Sequence, residues 1–175
     1  MPGYEKLIVY WLATTIYDLT SVFCEHYINS RSRTYDQMVQ AARSGKQNIV
    51  EGSVGESLET NLKLTGVARN SFSELLEDYK DYLRQHDLVL WGKNDPRVVQ
   101  IRGTRDLQNM TYKSYPTYMS YTKDPESFCN LLVTLCSKEG YLLDRLLAAV
   151  KEKFVREGGF RENLFKKRME YRNRK

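Results

Sequence analysis

Few residues in this 175-residue chain carry metal or redox chemistry, and none stands in a recognisable catalytic spacing. The two histidines are His26 and His86. A dinuclear helical site needs Glu-x-x-His motifs, and the residues three before them are Phe23 and Leu83. Zinc sites need Cys and His at short spacing, whereas Cys24, Cys129 and Cys136 are dispersed. Their odd count and lack of pairing argue against a disulfide scaffold and fit a reducing compartment. Cys129 and Cys136 share nearly one helix face, which reads as two small core residues before it reads as a metal or redox pair. Phosphate-binding glycine loops and Gly-x-Ser-x-Gly are absent. A Ser/His/Asp triad converges only in the fold, and nothing in the sequence marks a nucleophile. Glu74, Glu77, Asp78 and Asp81 recur at helical spacing, as on a solvated face. The expectation is a protein with no catalytic residue, no metal and no cofactor.

The remaining chemistry is electrostatic. The net charge is +5 and the isoelectric point near 9.0. Residues 1–91 are net −3, 92–124 net +3, 125–150 net −1 and 151–175 net +6. The basic charge therefore lies in one connection and in the C-terminal segment. Phosphate contacts are expected first from Lys166, Lys167, Arg168 and Arg172, then from Arg102 and Arg105, with Arg43 and Lys46 third. Tyr112, Tyr115, Tyr118 and Tyr121 recur every three residues and could stack on bases. Packing over the helical core is the favoured reading for them.

These side chains must be positioned by helices. Ile8, Leu12, Thr15, Leu19, Val22 and His26 alternate by three and four, widened by Trp11, Ile16 and Phe23. The N-terminal apolar run reads as part of this helix rather than a signal peptide, because acidic residues and the periodicity run through it. Leu7 to Ala13 is far shorter than a membrane span. A second helix carries the small-residue stripe Met38, Ala41, Ala42, Gly45, Asn48, Ile49 and Gly52. Ser44, Asn48 and Glu51 share a face, with Arg69 or Ser71 as candidate partners across a helix–helix or oligomer contact. A third helix carries Leu62, Phe72, Leu76, Tyr79 and Leu83, and a fourth runs from Asp124-Pro125 through Leu131, Leu135, Leu143 and Val150. The expected fold is all-α: an antiparallel up-and-down four-helix bundle with a long connection between helices 3 and 4 and a basic C-terminal extension. The expected helices are about 5–29, 34–52, 58–86 and 125–153 in a 1–153 domain, with 92–124 irregular beyond a short helix after Asp95-Pro96. The extension is 154–175, with a short basic helix from Phe160 to Arg172.

The stretch Gln37-Met38-Val39-Gln40-Ala41-Ala42-Arg43-Ser44-Gly45-Lys46-Gln47-Asn48-Ile49-Val50-Glu51-Gly52 resembles the signature of the bacterial four helix bundle proteins, the ribosomal RNA intervening-sequence or S23-like family. Val50 stands where that pattern has alanine. Glu56-Ser57, Glu59 and Ala68-Arg69-Asn70-Ser71-Phe72-Ser73-Glu74-Leu75 are similar to the family's third helix, and Gly158-Gly159-Phe160-Arg161-Glu162 resembles its suffix-domain branch. The long 92–124 segment departs from the compact family pattern. The resemblance implies a homo-oligomer, a pentameric ring, and no enzymatic residues. A family relative, the accessory variability determinant of diversity-generating retroelements, binds its reverse transcriptase and nucleic acid through a basic surface. Independently of the resemblance, the small stripe Ala41, Ala42, Gly45 and Asn48 agrees with close helix contacts, and Glu51 and Arg69 are expected in the same helix-packing or oligomer contact.

The leading expectation is a non-enzymatic, cytoplasmic, oligomeric helical protein that binds RNA, DNA or a nucleic-acid-handling partner, without a membrane. In a ring, repeated basic patches add through multivalency. The alternative is a structural or protein-interaction scaffold without nucleic-acid binding. An enzyme would require a pocket with convergent polar groups such as Glu51 and Arg69.

Overall fold

A computed structural model describes residues 3–55 and 57–174. Glu56 of the motifs above and Lys175, the last residue of the 154–175 extension, lie outside the described residues. The described residues form helices joined by loops, with no strand. Its helices are α1 (Ile8–Tyr27), α2 (Arg33–Val54), α3 (Leu58–Gln85), α4 (Pro96–Gly103), α5 (Pro116–Ser120), α6 (Pro125–Glu157) and α7 (Phe160–Asn173). Side-chain caps set the starts of several. Ser32 accepts from the Tyr35 amide, Ser57 from Thr60, Asp95 from Arg97 and Asp124 from Ser127. Each such cap stabilises its helix by about 1 kcal/mol relative to alanine.

The fourth long helix runs past the expected end at 153, to Glu157. Gly158, at φ 78°, closes it by donating to the Phe154 carbonyl, in a conformation glycine adopts without strain. The 92–124 connection is more ordered than expected, because it contains α5 as well as α4.

α1, α2, α3 and α6 share one core. α3 and α6 run in opposite directions: Arg69 reaches Asp144, and the Cys129 thiol donates to the Tyr79 carbonyl. At the far end the Glu59 carboxylate lies against Gly159, just before α7. α1 buries Leu12, Thr15, Ile16, Leu19 and Phe23, but also Val9, Ala13, Thr20 and Cys24. Ile8 and His26, assigned to its inner stripe from spacing, are exposed at the helix ends. His26 Nδ1 lies 2.8 Å from the Val22 carbonyl in the last turn. Phe23 sits edge-on to Tyr79, Tyr82 and Phe128, joining three helices. Each fully buried large apolar side chain contributes about 1.5–3 kcal/mol.

The inner part of the α2 small stripe is used inside the chain. Ala42, Gly45, Ile49 and Gly52 are buried. A Cβ at Gly45 would sit 2.6 Å from Phe72 Cε2, while one at Gly66 on α3 would meet nothing within 4 Å. These sites predict opposite outcomes. Gly66→Ala should stabilise by about 0.5–1 kcal/mol through helix propensity. Gly45→Ala should destabilise by about 1–3 kcal/mol, because the buried Phe72 ring must shift. Urea unfolding of both variants checks the pair, and equal signs would contradict the close α2–α3 contact.

Candidate nucleic-acid interface

The C-terminal segment folds as α7, capped by Glu162, whose carboxylate accepts from the Gly159 amide at 2.9 Å. None of its described side chains is buried. Lys166, Lys167, Arg168 and Arg172 are all exposed and make no ion pair among the described residues. At about 100° per residue the four do not share a face. Arg168 and Arg172 align with Arg161 along one edge, and Lys167 flanks the neighbouring stripe of Phe160, Leu164 and Tyr171. Lys166 projects on the opposite side, between Glu162 and Glu170. Arg161 was missed from sequence, although its spacing of seven and eleven from Arg168 and Arg172 was available.

Arg102 and Arg105 do not join this helix. They are exposed around a groove of about 460 Å³ lined also by Ile8, Asp106, Lys138 and Leu142. Lys138 and Gly158 are separated by twenty residues of one helix, about 30 Å along its axis. The Arg102 guanidinium donates to the Lys93 carbonyl, and Arg105 is unpaired among the described residues. Beneath them lies a buried polar cluster. Asp106, its side chain only 2% exposed, accepts from Lys138 Nζ at 2.6 Å and from the Tyr118 hydroxyl at 2.8 Å. Lys138 Nζ also donates to the Thr104 carbonyl at 2.7 Å.

This cluster decides the fate of the tyrosine run. Tyr115 and Tyr118 are buried, and the Tyr115 hydroxyl accepts from the Leu107 amide. The Tyr121 hydroxyl donates to Gln100 Oε1. Burial and the adjacent Asp106 push the Tyr118 phenol far above its usual range. The tyrosines therefore fasten the connection to the core, and Tyr115 and Tyr118 are withheld from bases.

Arg43 is exposed on α2. Lys46 is half-buried, with Nζ 5.9 Å and 5.6 Å from the Tyr10 and Tyr17 ring centroids on α1. A cation held over two aromatic faces serves the α1–α2 contact. Ala41 and Asn48 are half-buried and Glu51 is exposed. Asn48 donates to the Ser44 carbonyl and hydroxyl within its own helix. Ser71 bridges to Ser44 across the helices at 3.4 Å. Arg69 instead turns to α6, where Nε donates to Asp144 and the guanidinium covers Gly140. Arg69 is engaged on α6 while Glu51 is exposed on α2, so the two form no convergent polar site.

Sequence reasoning also missed Glu139. It is fully buried on α6, and both carboxylate oxygens lack a hydrogen-bond partner. Burial raises its carboxyl well above the ordinary range, the Asp106 charge adds to this, and Lys138 opposes it. It lies on the inner spacing Leu132, Leu135, Glu139, Leu143, which was a usable signal. The thiols of Cys24, Cys129 and Cys136 are buried and raised by burial, the first to about 12. They are poor nucleophiles there. Among the described residues no group of His, Cys, Asp and Glu is arranged to hold a metal ion, and no helix is long and apolar enough to cross a membrane. Comparison of the chain with protein-family models, curated proteins and solved structures gives no match.

Proposed function

We propose that this chain is a non-enzymatic, self-associating helical protein that binds single-stranded nucleic acid electrostatically through α7. The observation that carries the reading is the state of that helix. Arg161, Arg168 and Arg172 line one edge, Lys167 flanks the adjoining aromatic stripe, and no α7 side chain is buried in the core. Basic side chains beside exposed aromatic rings are suited to a phosphate backbone with stacked bases. Arg102 and Arg105 form a second, separate basic surface. We read α1, α2, α3 and α6 as an antiparallel up-and-down four-helix bundle, and the S23-like resemblance of 37–52 supports both that architecture and the oligomeric reading.

The test is fluorescence anisotropy with labelled single-stranded RNA and DNA over a salt series. Wild type should bind with log K falling by about 0.7 per phosphate contact for each decade of salt. Neutralising Lys167, Arg168 and Arg172 together to alanine should flatten that slope by about two and weaken low-salt binding at least about tenfold. Absence of salt-sensitive binding at low ionic strength overturns the proposal. If no nucleic acid binds, retention of a protein partner after nuclease treatment would support the scaffold reading instead.

A further inference from the structure

Between α2 and α3 runs a groove of about 650 Å³, lined by Arg33, Asp36, Ser44, Ser71, Glu74 and Asp78 among others. Its charge is unbalanced. On the α3 flank Lys80 is paired with Glu77 and Arg84 with Asp81. Asp36, Glu74 and Asp78 have no ion pair among the described residues, and Arg33 is the one basic lining residue. Asp78 is half-buried, and burial together with Asp81 and Glu74 raises its carboxyl, so a cation placed there would relieve a real cost.

The same molecule carries the complement. α7 presents Arg161, Arg168 and Arg172 on one edge, with an adjoining stripe of Phe160, Leu164 and Tyr171 that the core does not cover. The lengths agree. Fourteen residues of α7 span about 21 Å, and the groove from Arg33 to Ser44 spans about 16 Å at 1.5 Å per residue.

The chain's own α7 is badly placed to fill the groove. Its start at Gly159 lies against the Glu59 carboxylate at the start of α3, and the acidic positions Glu74 and Asp78 lie about 22 and 28 Å further along that helix. Lys167, Arg168 and Arg172 are about 11, 12 and 18 Å from the anchor, all short of Glu74 and Asp78, so α7 reaches at most the near edge of its own groove while that anchor holds. A second copy has no such constraint.

We propose that α7 of one chain docks in the α2–α3 groove of a second copy, its arginine edge facing Asp36, Glu74 and Asp78. The two surfaces differ, so the association is heterologous: it closes into a ring or propagates, according to the rotation per copy. The inference rests on the self-association in the proposed function and names its contact. Nucleic acid and a neighbouring groove then compete for the same α7.

Sedimentation velocity on four full-length proteins tests the contact: wild type, a groove reversal (Asp36→Lys with Glu74→Lys), a helix reversal (Arg168→Glu with Arg172→Glu), and all four substitutions in one chain. Asp36, Glu74, Arg168 and Arg172 are exposed, so folding should survive, as circular dichroism would verify. Wild type should associate and be weakened by salt. Each single-surface reversal should weaken association about tenfold or more, and the four-fold variant should recover it, since both charges are exchanged. Single-stranded RNA should shift wild type toward smaller species. A wild type that stays monomeric overturns both this contact and the self-association proposal. An assembly indifferent to the reversals, or not restored in the four-fold variant, overturns only the contact.

Discussion

Asp106→Leu should lower folding stability by about 3–5 kcal/mol, among the largest losses available to a single substitution outside the apolar core. The carboxylate is 2% exposed and satisfies two groups at once, the Lys138 ammonium at 2.6 Å and the fully buried Tyr118 hydroxyl at 2.8 Å. Lys138 is only 16% exposed, so without Asp106 it keeps one carbonyl, that of Thr104, against a largely desolvated charge. Calorimetry should record a melting temperature lower by about 10 °C, at roughly 2–4 °C per kcal/mol for a chain of this size. The double variant Asp106→Leu, Lys138→Met should recover most of the loss, because removing both charges also removes the uncompensated one. A double variant as unstable as the single one would show that packing, and not charge, dominates at this site.

The opposite sign is expected two side chains away. Glu139→Leu should raise stability by about 1–3 kcal/mol, the desolvation cost of a buried polar group without partners. The pH dependence distinguishes this from improved packing. Burial and Asp106 hold the folded carboxyl well above its ordinary 4.5. As pH rises above about 4.5, the unfolded chain releases this proton while the folded chain retains it, so folding stability falls with pH until the folded group itself ionises. The advantage of Glu139→Leu over wild type should therefore grow from pH 4.5 upward, by as much as about 1.4 kcal/mol per pH unit. Urea unfolding across that range measures it. Parallel pH profiles would refute a buried, proton-holding Glu139.

Both predictions concern residues whose role helical spacing alone does not give: it places Glu139 on the inner face of α6, but not the lack of a partner there. Spacing identified the four long helices, because inner positions such as Leu12, Leu19, Phe72, Tyr79, Leu132 and Leu135 repeat at three and four and are fully or nearly fully buried. Local chemistry located helix starts at Asp95-Pro96 and Asp124-Pro125, where each aspartate caps the turn that follows. Periodicity could not decide which neighbours a helix has. α1 meets partners on more than one side, so its buried surface is wider than one stripe and Ile8 falls outside it. The glycines and alanines of α2 are equally compatible with contacts inside a chain or between chains, and it takes Phe72 at Gly45, with Asn61 and Leu64 at Gly52, to show that the inner part of the stripe is used internally. Asp106 and Tyr118 are twelve positions apart in an irregular stretch, where no helical rule predicts that they meet. Among the basic candidates, helix geometry separates Lys166 from Arg168 and Arg172 and adds Arg161, a distinction that a count of charges hides.

The seating of the connection over α6 bears on the order of folding events. Asp106 and Thr104 engage Lys138, Gln108 donates to the Lys6 carbonyl, and Asn130 holds the backbone of Val89 and Trp91. These contacts join segments about 30–100 positions apart and need α1 and α6 already in place, so they form after the long helices have met. Residues of the connection should then have φ-values near zero. The Asp106→Leu penalty would consequently appear almost wholly as faster unfolding, with the refolding arm of the chevron unchanged. The connection thus acts as a latch on the lifetime of the native state and leaves the rate at which it is reached to the helices beneath.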